Sequence, residues 1–256
     1  MQGLIFDRVR FGERKKIMAE TKRSLWLQEG PKTRYSSLNE KIKTDVAVVG
    51  GGITGLTTAF LLRQAGVKVA VLEARGICTG ASGNTTAKIT ALHRLIYARI
   101  QNAFGRQAAE KFAAANQAAI EKIDSIIREL NIDCHFHRLP AFTFTTRPEM
   151  VSGIEAETEA AIKAGLSADF LRETDLPFQV EAAVRLDGQA HFNPYLYCAG
   201  LADAIEGDGN RIFEFSRAVD VNERVVKTEN GSIEADYIVL ATQLPFLDRS
   251  EEHTSE

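Results

Sequence analysis

The chain has little of what marks several large classes of protein. Three cysteines in 256 residues, Cys78, Cys134 and Cys198, are odd in number and scattered, which argues against a disulfide framework. No apolar run approaches the roughly 20 residues that a membrane-crossing helix needs. The N-terminus carries charges but no apolar stretch ending at a small-residue cleavage site, so no secretion signal is read. A net charge of −3 offers no basic footprint for nucleic acid or an anionic membrane. There is no internal repeat and no low-complexity segment. Together these absences point to a reducing, cytoplasmic setting. What remains is 45% hydrophobic and 25% charged, the proportions of an ordinary globular protein. The length accommodates one large domain or two small ones.

Both ends read differently from the middle. Met1–Ile17 is a mixed, charged stretch without periodicity, and Met18 makes a better start; a short tail reads equally well. Arg249-Ser-Glu-Glu-His-Thr-Ser-Glu256 is what a sequencing-adapter string encodes in frame. That reading makes 249–256 non-native and the rest an N-terminal fragment cut at Asp248.

The middle opens on a nucleotide signature. Asp45-Val-Ala-Val-Val49 is short, apolar and β-branched, a strand buried on both faces. Gly50, Gly52 and Gly55 follow as G-x-G-x-x-G. The first glycine allows the tight turn, the second lets a phosphate approach the backbone, and the third lets helix pack on sheet. Leu56–Ala65 reads as a helix ended by Gly66, its N-terminus offering free N–H groups to a pyrophosphate. Lys68–Leu72 is the second strand. Glu73 ends it, 23 positions after Gly50 (73 − 50), where a carboxylate accepts hydrogen bonds from a ribose diol. A 2′-phosphate would be repelled there. The next stretch, Arg75–Ile89, is small, polar and Gly-rich, so an extended ligand can thread along its exposed backbone.

Gly-Gly-Gly-x-x-Gly, then Glu73, then Gly80-Ala-Ser-Gly83, resembles the D-amino-acid oxidase and glycine oxidase superfamily of FAD-dependent oxidoreductases. Asn84–Thr90, with His93 and Ile96-Tyr97, is similar to a bacterial branch that carries a C-terminal Rieske domain. Neither a Cys-x-His nor a Cys-x-x-His pair is read here, so the cluster ligands are expected to be missing. The resemblance implies FAD as cofactor and assigns contacts one by one. Ile53 and Thr54 lie against the pyrophosphate, and Glu73 with Ala74 against the adenosine ribose. Ala81 and Ser82 line the diphosphate and ribityl chain. Thr86, Ala87 and Lys88 stand beside the flavin ring. Val219 touches adenine through its backbone, and Ala241-Thr242 mark where a later strand passes the cofactor. Apart from these, His93 reads as a satisfied structural histidine or as a polar group near the flavin.

Elsewhere Arg106–Leu130 is a long amphipathic helix, its apolar face marked by Ala109, Phe112, Ala113, Ile120, Ile123, Ile127 and Leu130. It packs on the flavin domain or forms a coiled coil. Cys134–Arg138 and Pro140–Thr146 read as strands, the first pointing His135 and His137 to one side. Two histidines fall short of a metal site, and none is assigned. Val151–Ala164 reads as a helix capped by Gly165, and Asn193-Pro194 starts another through Ile205. Arg211–Val221, Arg224–Thr228, Ser232–Ala235 and Tyr237–Thr242 read as strands, with a turn at Asn230-Gly231.

The fold class expected is α/β: a Rossmann-like FAD-binding domain with an inserted α+β substrate domain, truncated at the C-terminus. Residues 45–133 and 195–248 form the FAD-binding domain, 134–194 part of the substrate domain, and 1–44 a leading segment. The resemblance implies oxidation of a C–N bond in a small amine or amino acid, hydride passing to flavin N5 and the imine then hydrolysing. No catalytic residue and no electron acceptor are assigned. An NAD-dependent dehydrogenase and a non-catalytic FAD-binding module use the same Gly-rich turn and stay open.

Overall fold

The computed structural model describes residues 24–29, 33 and 35–243. The expectations for 1–17, the start at Met18, the end at Asp248 and the tail 249–256 lie outside those residues. In chain order the elements are α1 (Trp26–Glu29), β1 (Lys41–Val49), α2 (Ile53–Gln64), β2 (Val69–Leu72) and a 3-10 turn (Ser82–Asn84). Then come β3 (Lys88–Ile89), α3 (Ile96–Phe104), α4 (Arg106–Leu130), β4 (His137–Thr145), a second 3-10 turn (Pro148–Met150) and α5 (Val151–Lys163). β5 (Ala168–Leu171), β6 (Ala182–His191), α6 (Pro194–Ile205), β7 (Arg211–Phe213), β8 (Asp220–Val221), β9 (Val225–Lys227) and β10 (Ser232–Leu240) complete it.

These elements form two compact units. The first joins the described residues up to Asn84 with those from Gly207 onward. Its six-stranded sheet runs β7-β2-β1-β10-β9-β8. The first four strands are mutually parallel, and β9 and β8 close the edge antiparallel. β1 is central, with Val46 paired to Val69 on one side and Tyr237 on the other. That position accounts for its unbroken apolar run. α2 packs on β1 and β2, and its Leu56, Ala59 and Phe60 are buried. A core of Leu38, Ala47, Val49, Leu72, Phe213, Val226 and Ile233 gathers in this unit. The apolar run of β10 leads one to expect cover on both faces, yet Tyr237 is 72% and Leu240 50% exposed.

The second unit, Thr85–Glu206, is an antiparallel sheet with helices. β6 pairs with β3, β4 and β5. Its core brings Ala109 and Ala113 of α4 together with Ala141, Ile154, Val184 and Leu186. This boundary differs from the sequence expectation, which placed 85–133 and 195–206 with the FAD-binding domain. The apolar face of α4 is the physical reason, because it is buried in the core of the unit that contains β4 to β6. The Asn193 backbone N–H also donates to Cys134 O at 2.6 Å, joining the start of α6 to the segment before β4.

Helix ends follow local chemistry closely. Asn193 Oδ1 accepts from the N–H groups of Tyr195 and Leu196 at 3.0 and 3.2 Å, with Pro194 at the first helical position. Asp124 is buried on α4 among apolar residues and accepts from Arg138 at 2.7 Å and Arg128 at 2.9 Å. Burial raises its carboxyl pKa, but the two guanidiniums outweigh that and hold it below the usual carboxylate range. The expected strand Cys134–Arg138 is not formed as read. β4 begins at His137 and continues without a break through Thr145, with one irregularity at Leu139. His135 has φ +52, which breaks the alternation, so His135 and His137 do not share a strand face. His137 stands opposite His191 on β6, ring centroids 5.3 Å apart.

Candidate cofactor site

The sheet order places a topological switch at β1. The chain leaves β1 for β2 on one side, while β10 lies on the other. Ligands of open α/β sheets bind beyond the carboxyl ends of strands at such a point. Here those ends are Gly50 after β1, Glu73 after β2, the Glu214–Ala218 run after β7 and Ala241 after β10. A cavity of about 450 Å³ lies there, within the usual range for small-ligand sites.

Its floor is the glycine turn. The Gly50 N–H donates to Leu72 O at 2.8 Å, and Gly50 has φ +114. A Cβ at Gly50 would sit 2.7 Å from Ala241 O, so the residue needs both the left-handed backbone and the missing side chain. Gly55 lies against Gly50 O, which is the helix-to-strand closeness the third glycine permits. The first rung of the α2 ladder is Leu56 N–H to Gly52 O at 2.9 Å, so the Thr54 and Gly55 N–H groups fall outside it. Gly52 occupies the N-cap with no side-chain cap of its own.

Glu73 holds the loop together. One carboxylate oxygen accepts from the Gly51 N–H at 2.8 Å and the other from the Arg75 N–H at 2.9 Å. Each oxygen keeps a lone pair for a diol. The Cys78 N–H donates to Gly51 O at 2.8 Å, folding the Gly-rich stretch back over the turn. Ser82 then accepts the Ile53 N–H at 3.0 Å through its hydroxyl.

Among the expected contacts, Gly50, Gly52, Glu73, Ala74, Ala81, Ser82, Ala241 and Thr242 line the cavity. Ile53, Thr54 and Gly55 form the first turn of α2. Val219 is 51% exposed and does not line the cavity, although Ser216, Arg217 and Ala218 just before it do. Thr86, Ala87 and Lys88 belong to the second unit, where Lys88 pairs with His191. His93 in that unit meets Asn116 Oδ1 at 3.3 Å and the edge of Phe112. Sequence reasoning missed Arg75, Cys78, Arg217 and Gln243 as wall residues. Arg217 follows β7, a parallel strand whose carboxyl end faces the same crevice, whereas the sequence pattern put it inside a strand, Arg211–Val221.

The cavity walls carry one carboxylate, Glu73, and two guanidiniums, Arg75 and Arg217, a balance that suits a diphosphate joined to a ribose. The family model for FAD dependent oxidoreductases (DAO) matches residues 45–249. The chain belongs to this family. FAD is the cofactor of these FAD dependent oxidoreductases, and the glycine cradle, the α2 N-terminus and Glu73 fit its adenosine diphosphate part. A putative Rieske 2Fe-2S iron-sulfur protein, YhfW of Bacillus subtilis (strain 168), is 33% identical over 233 residues, 90% of this chain and 46% of that protein. The gamma-glutamylputrescine oxidoreductase of Escherichia coli (strain K12) is 29% identical over 216 residues, 81% of this chain and 50% of that enzyme. The chain thus spans about half the length of the curated relatives it matches. Among solved structures, glycine oxidase from Geobacillus kaustophilus superposes with a TM-score of 0.61 at 20% identity, over 78% of this chain and 55% of that one. The L-proline dehydrogenase from P. horikoshii gives 0.62 at 22%, over 79% and 53%. Both are likenesses of fold.

The expectation that the chain has no Cys-x-x-His pair is corrected, because Cys134 and His137 form one. Burial, then the nearby Asp133 charge, pushes the Cys134 thiol up to about 11, away from the thiolate that a metal would need. Among the described residues no group of three His, Cys, Asp or Glu side chains could hold a metal. Among them, too, no helix is long and apolar enough to cross a membrane.

Proposed function

We propose that this chain oxidises the C–N bond of a small amine or amino acid with FAD as its cofactor, in a cytoplasmic setting. The observation that carries the reading is the Glu73 carboxylate, which spans Gly51 and Arg75 beside the α2 N-terminus in a chain of this family. The α2 N–H groups and the Gly50–Gly55 turn hold the diphosphate. Glu73 and Ala74 take the adenosine ribose, and Ala81 and Ser82 line the chain beyond it. Val219 meets adenine through its backbone, and Ala241 and Thr242 border the cofactor. Bound FAD supplies the two-electron acceptor. The residues named here bind and orient, and none of them needs to transfer a proton.

The substrate class draws support from relatives and neighbours: gamma-glutamylputrescine oxidoreductase, glycine oxidase, L-proline dehydrogenase and an L-amino acid deaminase from Proteus vulgaris. Three buried cysteines, none of them joined in a disulfide, agree with a reducing compartment. Anaerobic mixing of the FAD-loaded protein with glycine, L-proline and gamma-glutamylputrescine tests the reading. Bleaching of the flavin absorption by an amine or amino acid, and not by the matching alcohol, is expected. No bleaching by any amine would contradict it.

A further inference from the structure

We propose that Glu214 is a positioning residue for the cofactor, acting by tying the cavity wall to the residues that precede β1. Glu214 directly follows β7 and is fully buried. A buried carboxylate is costly unless donors surround it. Here the donors come from two separate parts of the chain. The Ile77 N–H donates to Oε1 at 2.8 Å, and Ile77 belongs to the loop that folds over the glycine turn. The Thr33 hydroxyl donates to the same oxygen at 2.7 Å, and the Tyr35 N–H to Oε2 at 3.0 Å. One side chain therefore joins the N-terminal residues to the loop that bears Cys78, a cavity residue.

Two further contacts run the same way. The Leu38 N–H donates to Ser216 Oγ at 2.8 Å, and the Ser216 N–H donates to Glu73 O at 2.8 Å. Both Ser216 and Glu73 line the cavity. On α1, Leu27 lies against Gly83, so close that a Cβ on Gly83 would come within 2.9 Å of its Cδ2. Gly83 adjoins Ser82, which caps Ile53. The residues before β1 thus brace three stretches of wall: Ile77-Cys78, Ser216 and Ser82-Gly83. None of the bracing residues lines the cavity itself.

The consequence is a linkage. If docking of Thr33, Tyr35 and Leu38 holds the wall in its binding shape, FAD binding strengthens that docking by the same factor. This rests on the FAD reading above. It goes further by assigning cofactor retention to a carboxylate and a threonine that do not touch the cofactor.

The test uses the full chain as apoprotein, in wild type, Thr33→Val, Thr33→Ser and Glu214→Gln. FAD affinity is titrated by quenching of flavin fluorescence, and amide exchange at Tyr35, Leu38 and Ile77 is followed with and without FAD. Wild type and Thr33→Ser are expected to bind alike, with FAD slowing exchange at all three amides. Thr33→Val and Glu214→Gln are expected to bind at least about 5-fold more weakly, the low end of usual coupling, and to lose that slowing. Exchange in the second unit, Thr85–Glu206, should match in all four and reports intact folding. If Glu214→Gln does not fold, Thr33→Val against Thr33→Ser decides. Wild-type affinity in a folded Thr33→Val overturns the proposal, as does FAD binding to wild type with no change at Tyr35 and Leu38. A wild type that binds no FAD overturns the cofactor reading and this proposal with it, and is told apart by that first titration.

Discussion

The Ser82 hydroxyl accepts the Ile53 N–H at 3.0 Å, so the loop that follows β2 closes on the first turn of the helix that follows β1. Gly52 lies beneath that contact, and a Cβ on it would stand 2.9 Å from Ser82 Oγ. The second glycine of the motif is therefore required by the protein's own loop as well as by an approaching phosphate.

Gly52→Val should abolish FAD binding, because the branched side chain displaces Ser82 and fills the phosphate approach. Gly153→Ala is the control. Gly153 lies in α5, where a Cβ would meet only Leu95 Cδ1 at an ordinary 3.5 Å. It should leave flavin content unchanged and raise stability by up to about 1 kcal/mol through helix propensity. Flavin-to-protein absorbance ratios and thermal unfolding check both. A Gly52→Val protein with full flavin content would show the turn to be misread.

Glu73→Gln should weaken FAD binding by more than a diol contact alone. The amide has one acceptor oxygen where the carboxylate uses two for Gly51 and Arg75. Losing a hydrogen bond to a charged acceptor costs about 1.5–3 kcal/mol. Glu73→Arg should nearly abolish binding. Titration of each apoprotein with FAD measures this, and equal affinity across all three proteins would remove Glu73 from the site.

Glu157 predicts an inverted pH dependence in the second unit. Its fully buried carboxylate accepts from the Tyr97 and Ala98 N–H groups at 2.9 Å each, at the start of α3. Burial raises its pKa above the ordinary glutamate value, although the backbone donors pull it down. A raised folded pKa means that the proton is held more tightly in the folded state. That stability is complete below the unfolded value and is lost as pH rises through the folded one. Thermal unfolding of wild type should therefore lose a contribution on going from about pH 4 towards neutrality, and Glu157→Gln should flatten that trend. An identical pH slope in both proteins would refute the assignment.

How much of this was legible depended on whether local chemistry or distant pairing set each element. Arg106–Leu130 is the helix read from its spacing, and Asn193-Pro194 starts α6 where the cap chemistry requires. β1, β2 and the glycine turn were legible because burial on both faces and a tight phosphate turn leave few alternatives. β6 was missed: Ala182–His191 is interrupted by Gly188 at φ +70 and mixes Arg185, Asp187 and Gln189 with alanines, so it has no clean alternation. The stretch Arg211–Val221, read as one strand, is two, because the chain leaves the sheet at Glu214 to hold Ile77 and Thr33. Those contacts span 137 and 181 positions, and no local pattern encodes them. Glu73 was legible by spacing, but its grip on Gly51 and Arg75 was not.

The central claim is that Val49–Ser82 holds the adenosine diphosphate part of FAD. Its most direct test is equilibrium titration of the apoprotein with FAD and, separately, with FMN, which shares the flavin but lacks the adenosine that Glu73 and Ala74 are assigned to hold. The account predicts one FAD per chain and far weaker binding of FMN. Equal affinity for the two flavins, or no binding of FAD, would contradict it.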